Sequence, residues 1–187
     1  MRIRRAEAGD VAALHALIAA SVRGLSRGYY TPAQVEAALA HVFGVDTQLV
    51  ADGTYYVVDG PAGPAAAGGW SRRHTRYGGD QRKGAADPLL DPAVDAARIR
   101  AFFVHPHVAR RGLARRLFAV CAREAWDAGF RRLELVATAP GEPCYAALGF
   151  AVAERGAVAL PGGVAVPCAR MVRPLTPVDA LPTPNTS

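Results

Sequence analysis

Cysteines and long apolar runs are scarce in this 187-residue sequence, and each scarcity makes a class of protein unexpected. Lysine is scarce as well. The three cysteines, Cys121, Cys144 and Cys168, have unrelated spacings and form no CxxC pair, so neither a disulfide framework nor a metal site is expected. No stretch approaches ~18 apolar residues without a charge, and no apolar signal core follows the charged N-terminus. We therefore expect a cytoplasmic protein with no membrane partner.

Positive charge is plentiful but local. The formal net charge is +6, and nine arginines lie between Arg98 and Arg132 against Glu124 and Asp127. Such a patch suits nucleic acid or a phosphorylated cofactor. Because arginine is used almost to the exclusion of lysine, GC-rich coding is a third explanation, and charge alone does not decide among them.

Two amphipathic helices are predicted early in the chain. Asp10 can N-cap the first, whose apolar stripe covers residues 11–25. The second has stronger signals, with Thr31 as the N-cap, Pro32 in the first position and Gln34 completing a capping box.

Seven strands and two further helices are predicted in the rest of the chain. A long helix over 110–128 connects two strands, so those strands should be parallel, and a short helix covers 142–148. Pro167 would interrupt a strand ladder, so its strand should be an edge strand or bulged. The predicted strands are residues 2–6, 55–58, 65–71, 98–104, 132–137, 150–160 and 164–172.

The length fits one domain, which we place at residues 1–173. The polar segment 72–95 is long for a loop, which is typical of a functional or mobile segment. Residues 174–187 are rich in proline and small polar residues, so we expect a C-terminal tail with little order.

The turn that opens the long helix combines small residues with arginines. It reads Ala109-Arg110-Arg111-Gly112-Leu113-Ala114 and is followed by Arg115. The first amides of a helix lack intrahelical partners and carry the positive end of the dipole, so small residues there let a pyrophosphate approach closely. The turn lacks the glycines of a dinucleotide fingerprint and the Gly-Lys-Ser/Thr of a P-loop. These residues alone leave a tightly packed turn as an alternative.

A tyrosine lies just beyond the second parallel strand. On the short helix, Tyr145 can point its hydroxyl at the carboxyl end of the sheet, where ligands collect. Its unperturbed pKa near ~10 keeps it protonated at neutral pH, so it can donate to a departing thiolate. Taken by itself, such a tyrosine is more often a residue that packs in the core.

Together, and in this order, the two segments resemble the GNAT superfamily of N-acetyltransferases. The pyrophosphate loop of that family, Gln/Arg-x-x-Gly-x-Gly/Ala, is matched by residues 109–114 except at Ala109. The family's Val-x-Pro-like strand end is matched by Val104-His105-Pro106. Its aromatic-Tyr-x-x-x-Gly-Phe pattern is matched by residues 145–150, with Cys144 in the aromatic position.

The resemblance implies an α/β (α+β) fold in which a mixed, splayed sheet of about seven strands is flanked by about four helices. It implies acetyl-CoA as cosubstrate, no metal, and pantetheine held between the two parallel strands by the backbone of Phe103 and Val104. An amine would attack the thioester directly, and Tyr145 would protonate the leaving sulfur as general acid. The other residues implied for the cofactor are Ala109, Arg110, Arg111, Gly112, Leu113, Ala114 and Arg115.

The acceptor is expected to be an amine on a small molecule. The resemblance places it among the first two helices, the loop after the third strand and the final hairpin. Aromatic residues and arginines in these regions, Arg170 among them, would suit an acceptor with a carboxylate or a ring. The side chains we expect to line the site are Tyr29, Tyr30, Trp70 and His74.

The general base is not apparent from the sequence. Many relatives carry a glutamate on the strand before the loop, whereas residues 98–104 of this chain contain no acidic residue. Glu134 on the neighbouring strand is a candidate, but an ion pair with Arg100 or Arg132 fits it better. Water or an amine that binds deprotonated would be alternatives.

Two other functions stay open at this point. A catalytically inactive acyl-CoA-binding module would keep the loop but would not need Tyr145. A basic nucleic-acid-binding domain is disfavoured because the sequence has no recognition-helix pattern, zinc ligands or aromatic RNA platform. We therefore expect no nucleic-acid partner and leave a homodimer open.

Overall fold

A computed structural model describes residues 1–82, 84 and 87–181, and its centre is a seven-stranded sheet. The strands are β1 (Ile3–Arg5), β2 (Tyr55–Gly60), β3 (Gly63–Ser71), β4 (Ala97–Val104), β5 (Arg132–Thr138), β6 (Ala151–Ala159) and β7 (Ala165–Pro174). Their order is β1-β2-β3-β4-β5-β7-β6. The pair β4–β5 is parallel and the other neighbouring pairs are antiparallel, which confirms the predicted mixed sheet and its crossover.

Among the described residues, five α-helices flank the sheet, one more than expected. They are α1 (Val11–Leu25), α2 (Pro32–His41), α3 (Thr47–Ala51), α4 (Leu113–Asp127) and α5 (Glu142–Ala147). Helix α4 packs on one face, and α1 and α2 pack on the other, so the alternating residues of β2 divide between two cores. Tyr56 and Val58 pack with α4, whereas Tyr55 and Val57 pack with α1 and α2.

The segment Ala8–Leu25 is long and apolar enough to cross a bilayer, judged by length and composition alone. In this fold its apolar stripe packs against the sheet and not against lipid. Leu14, Leu17 and Ile18 are buried in the core between α1 and the sheet. The stripe that the sequence shows is therefore the side of α1 that packs on the sheet.

The start of α2 follows the sequence prediction and the start of α1 does not. Thr31 accepts the N–H of Gln34 at 3.2 Å, and the Gln34 side chain accepts the N–H of Thr31 at 2.9 Å. The Asp10 carboxylate makes no cap hydrogen bond to α1. Instead it accepts two hydrogen bonds from Arg4, at 2.7 and 2.8 Å, because the strand β1 brings that guanidinium beside it.

Helix α3 was absent from the prediction because five residues are too few to show a helical period. Its signal is a cap instead: the carboxylate of Asp46 accepts the N–H groups of Gln48 and Leu49. Pro167 also differs from expectation, because β7 lies inside the sheet between β5 and β6. The proline is tolerated since the β5 ladder stops one residue away, at the pair Thr138–Cys168.

Residues 175–181, which belong to the segment 174–187 that we expected to form a tail, lie against the domain. Leu175 is buried, and a short 3-10 helix (Pro177–Ala180) packs against α4. Arg173 binds Asp179 at 2.8 Å, which fixes this turn to the end of β7. Residues 182–187 of that expected tail lie outside the described residues.

Candidate active site

The sheet opens between its two parallel strands. Strands β4 and β5 are paired at Ala97–Leu133 and Arg98–Glu134, and no further pair joins them among the described residues. From that rung onward each strand continues for several residues toward its carboxyl end. The result is a gap in the middle of the sheet, at the edge where ligands of α/β proteins collect.

A bulge shapes the β4 side of this gap. Ala101 has a φ of +54°, a left-handed conformation that is costly for a residue with a Cβ, and the β3–β4 register shifts beside it. The fully buried Tyr55 donates its hydroxyl hydrogen to the Ala101 carbonyl at 3.2 Å. The sequence did not indicate this hydrogen bond, because it joins residues 46 positions apart.

The predicted phosphate loop is a left-handed turn at the start of α4. Arg110 and Gly112 have φ values of +63° and +77°, and no atom lies within 4 Å of the place where a Gly112 side chain would begin. The first amide in the helix to reach an acceptor is that of Arg116, which donates to the Gly112 carbonyl at 3.1 Å. The preceding amides are therefore those that a helix start offers to an anion.

The side chains of this loop separate into charged and anchoring groups. Arg110, Arg111 and Arg115 are exposed, whereas Leu113 is buried in the α4 core and Ala114 is half-buried. Ala109 precedes them in an extended conformation. Free guanidinium groups around open amides would suit a pyrophosphate.

Close packing against α1 holds the loop in place. A side chain on Gly24 of α1 would begin 2.4 Å from the Pro106 ring, so the helix and the turn touch directly. The Ser21 hydroxyl accepts the N–H of Val104 at 3.2 Å. This is one of the backbone groups expected to hold pantetheine, and it already faces a polar partner. The ring of Phe103, the other such residue, packs edge-on against Phe43.

Tyr145 lies at the gap, on α5. Its ring packs edge-on against Phe102 of β4 and against Phe150, with centroids 6.3 and 5.9 Å apart. The Phe102 ring can take this position because residue 68 is a glycine: a Cβ there would lie 2.6 Å from the ring. Burial raises the pKa of Tyr145 above its usual range, so its hydroxyl keeps its proton at neutral pH.

A small pocket of about 40 Å³ lies on the other face of the sheet, between α2 and the strands beyond the gap. Its walls are mainly apolar, with a few polar atoms from Tyr77, Thr138 and Cys168. Burial raises the pKa of the Cys168 thiol, which keeps it neutral. The lining residues are Ala38, Val42, Phe43, Tyr77, Val136, Thr138, Val158, Val166 and Cys168.

The four residues expected around the acceptor are not brought together. Tyr29 and His74 are exposed and do not line this pocket. Tyr30 is buried, and its hydroxyl donates to the Pro167 carbonyl at 2.6 Å and accepts the Ala139 N–H at 2.8 Å. Trp70 lies on the opposite face, under α4, because strand alternation points it there.

Glu134 is paired with arginines, although not with those expected. Its carboxylate lies 2.8 Å from Arg98, 3.1 Å from Arg76 and 3.2 Å from Arg170. Arg100 instead forms a buried ion pair with Asp46 at 2.8 Å. A carboxylate shared by three guanidinium groups is already committed to ion pairs.

The sequence profile of the acetyltransferase (GNAT) family matches residues 51–150. The chain belongs to this family. The match includes both β4 and β5, the loop at Gly112 and the short helix that carries Tyr145. Membership of the GNAT family therefore makes this chain an acetyl-CoA-dependent acyltransferase.

Solved structures of other GNAT proteins share the fold over nearly the whole chain. A GCN5-related N-acetyltransferase from Rhodopseudomonas palustris has a TM-score of 0.68 at 18% identity, covering 93% of this chain and 95% of its own. PaiA N-acetyltransferase from Thermoplasma acidophilum, solved with coenzyme A, has a TM-score of 0.61 at 10% identity, with coverages of 92% and 98%.

YncA from Salmonella typhimurium, solved with acetyl-CoA, has a TM-score of 0.57 at 16% identity, covering 100% of this chain and 99% of its own. At such identities the likeness establishes the fold of this GNAT chain. A comparison with curated proteins gives no match.

Proposed function

We propose that this protein transfers an acetyl group from acetyl-CoA to an amine by direct attack, with Tyr145 as general acid. The observation that carries the proposal is the position of Tyr145, whose ring touches β4 through Phe102 where the sheet has opened. The phosphate loop follows the end of the same strand, so the loop and Tyr145 both lie beside this gap. PaiA and YncA, which share the fold, were solved with coenzyme A and acetyl-CoA respectively.

The loop residues fit the phosphates of coenzyme A. Gly112 has open space beside it, and its left-handed φ of +77° leaves the first amides of α4 uncovered. Arg110, Arg111 and Arg115 would add charge, with Ala109, Leu113 and Ala114 shaping the turn. The backbone of Phe103 and Val104 would hold the pantetheine. When bound, acetyl-CoA supplies the acetyl group as a thioester.

Tyr145 supplies the proton for the departing sulfur. Burial raises the pKa of its hydroxyl above the usual value of ~10, so the group is an acid throughout the neutral range. A thiolate formed in a buried gap is less stable than one in water, because charge is costly there. Proton donation from Tyr145 would therefore lower the barrier to its departure, and the proton that the attacking nitrogen loses on forming the amide would restore the tyrosine.

The acceptor is proposed to bind as a neutral amine. The residues that line the pocket include no carboxylate and no imidazole. Glu134, the nearest acid along β5, is held by three arginines. The rate at low acceptor concentration should therefore rise with pH until the acceptor amine is deprotonated.

Replacement of Tyr145 by phenylalanine tests the acid. Tyr145→Phe keeps the ring contacts but removes the proton, so kcat should fall by about 10²–10⁴ while acetyl-CoA affinity is retained. The assay is thiol release with a panel of amines, together with an acetyl-CoA titration. Tyr29→Phe is the matched control, since that ring is 53% exposed and outside the pocket.

Two outcomes would contradict parts of the proposal. Wild-type turnover by Tyr145→Phe would show that this tyrosine packs but does not donate. If the wild-type protein bound acetyl-CoA and released no thiol with any amine, the chain would be an inactive acyl-CoA-binding module.

A further inference from the structure

We propose that the acceptor carries a carboxylate, which Arg76 and Arg170 bind at one end of the apolar pocket. The acceptor is then a small amino acid-like amine with a short apolar side chain. This inference deepens the proposed acetyl transfer and rests on it. It concerns a part of the site that the phosphate loop and Tyr145 do not touch.

Strand pairing places Arg170 beside the pocket. Arg170 of β7 is the register partner of Val136 of β5, so their side chains lie on the same face of the sheet. The next pair on that face, Thr138 and Cys168, also lines the pocket. Arg170 therefore follows the apolar walls directly at the end nearer to Glu134.

The loop after β3 brings Arg76 to the same end. Tyr77 lines the pocket, and its neighbour Arg76 reaches Glu134, which lies two residues before Val136. Arg76 from the loop and Arg170 from β7 thus approach the two oxygens of one carboxylate. Together they place two guanidinium groups beside one end of a pocket that is otherwise apolar.

Both guanidinium groups have donors to spare. Arg76 uses Nε toward Glu134, and Arg170 uses Nη1 toward Glu134 and Nε toward Glu154. Their remaining nitrogens make no hydrogen bond to the residues that the structure describes. Arg76 is exposed and Arg170 half-buried, so a ligand can reach both. A carboxylate is the group that such paired donors bind best.

The surrounding charges favour an additional anion. Arg98 lies behind Glu134 and is buried. Burial lowers the pKa of Arg98, Glu134 and Asp95 raise it, and repulsion from Arg76 and Arg170 lowers it. Because Glu134 is shared among these arginines, a second carboxylate between Arg76 and Arg170 would reduce their mutual repulsion.

The apolar walls then select the rest of the acceptor. Val136, Val158 and Val166 offer no charge and few hydrogen bonds, so a polar or charged body would be desolvated without compensation. The volume of about 40 Å³ has room for a short side chain only. An amine with a carboxylate and a short aliphatic group meets both conditions.

Binding of L-leucine and L-leucinamide tests this independently of turnover. The two probes share the amine and the side chain and differ in the carboxylate. Ligand-observed NMR titrations of the wild-type protein, with and without coenzyme A, should show L-leucine binding about tenfold more tightly or better. Equal affinities, or binding of neither probe, would overturn the inference.

Two variants locate the carboxylate. Arg76→Gln and Arg170→Gln should each weaken L-leucine about tenfold and leave L-leucinamide unchanged. Arg123→Gln is the matched control, because this arginine is exposed on α4, where it pairs with Asp127 at 3.8 Å. If both variants still bound L-leucine more tightly than L-leucinamide, the carboxylate of the ligand would bind elsewhere and the inference would be refuted.

The kinetic readout separates this inference from the proposed function. With an accepted amino acid, Arg76→Gln should raise the acceptor KM and leave kcat and the acetyl-CoA KM nearly unchanged. Acetyl transfer to the amide at the same efficiency as to the acid would refute the carboxylate site alone. Acetyl transfer itself would then still stand.

Discussion

The guanidinium of Arg98 lies 2.8 Å from the carboxylate of Glu134 at the last paired rung of β4 and β5, where the sheet begins to open. Both side chains are less than 10% exposed, at 8% and 9%. Among the described residues no further pair joins the two strands, so this ion pair connects them at the base of the gap. Neither residue takes a chemical part in the proposed reaction.

Removal of the Glu134 charge should destabilise the protein strongly. In Glu134→Gln the buried Arg98 loses its counter-ion, and leaving one member of a buried pair uncompensated costs about 3 kcal/mol or more. Urea denaturation would measure the free energy of unfolding. Glu36→Gln is the control, because the Arg23–Glu36 pair is 56% exposed on both sides and should contribute little. A similar loss in the free energy of unfolding for the two variants would show that the Arg98–Glu134 pair stabilises the protein no more than an exposed ion pair does.

Addition of a methyl group at Gly68 should displace the proposed acid. The Cβ of Gly68→Ala would begin 2.6 Å from the Phe102 ring, which in turn packs against Tyr145. We expect kcat to fall about tenfold or more at nearly constant acetyl-CoA affinity, because small misplacements of a catalytic group are costly. Gly156→Ala in β6 is the control, as no atom lies within 4 Å of its Cβ position.

A double-mutant cycle identifies the origin of that effect. If Gly68 acts through Tyr145, then Gly68→Ala should have little further effect on kcat in the Tyr145→Phe background. Additive losses would mean that Phe102 matters for a different reason, such as packing of the pantetheine.

A carboxylate in the phosphate loop should abolish acetyl-CoA binding. Gly112→Glu places bulk and negative charge at the first amides of α4, where the phosphates would bind. Gly162→Glu is a close control, because Gly162 also has a left-handed φ, +76° against +77°, and open space around it. Calorimetric titration should show loss of binding only for Gly112→Glu. Unchanged affinity would place the cofactor elsewhere.

The ion pair between Asp52 and Arg73 should make stability depend on pH in the acid range. Hydrogen bonds from Arg73, at 2.7 and 2.9 Å, lower the pKa of Asp52 below its ordinary value near ~3.9. Such a group stabilises the fold above its unfolded pKa, and that contribution is lost as the pH falls through the folded value. Asp52→Asn should therefore cost about 2 kcal/mol at pH 7 and much less near pH 2. A loss that stayed constant with pH would exclude the charge as its cause.

Local patterns made much of this structure predictable. The capping box at Thr31, the helix that follows Gly112 and the crossover between β4 and β5 depend on residues close together in sequence. The loop and Tyr145 were predicted as site residues for the same reason, since each belongs to a short segment with its own spacing. Their roles in binding and proton transfer remain proposals.

The acceptor side was less predictable because its contacts are distant in sequence. Tyr30 and Trp70 were candidates because they are aromatic and lie in the regions that the family resemblance implied for the acceptor. Strand alternation and hydrogen bonding placed both in the core. Arg76 was overlooked, since nothing in a polar loop shows that one of its arginines will meet Glu134 58 positions later.

The sequence by itself determined the order of the seven strands and of four of the helices, the parallel crossover and the small, arginine-rich turn, because each follows from periodicity or steric rules acting over a few residues. Only the tertiary structure decided where the sheet opens, which face Trp70 takes, and which arginines share Glu134. Those features depend on strand register and on loops that return from far along the chain. Side chains are brought together there by packing of the whole domain, and no local pattern encodes that packing.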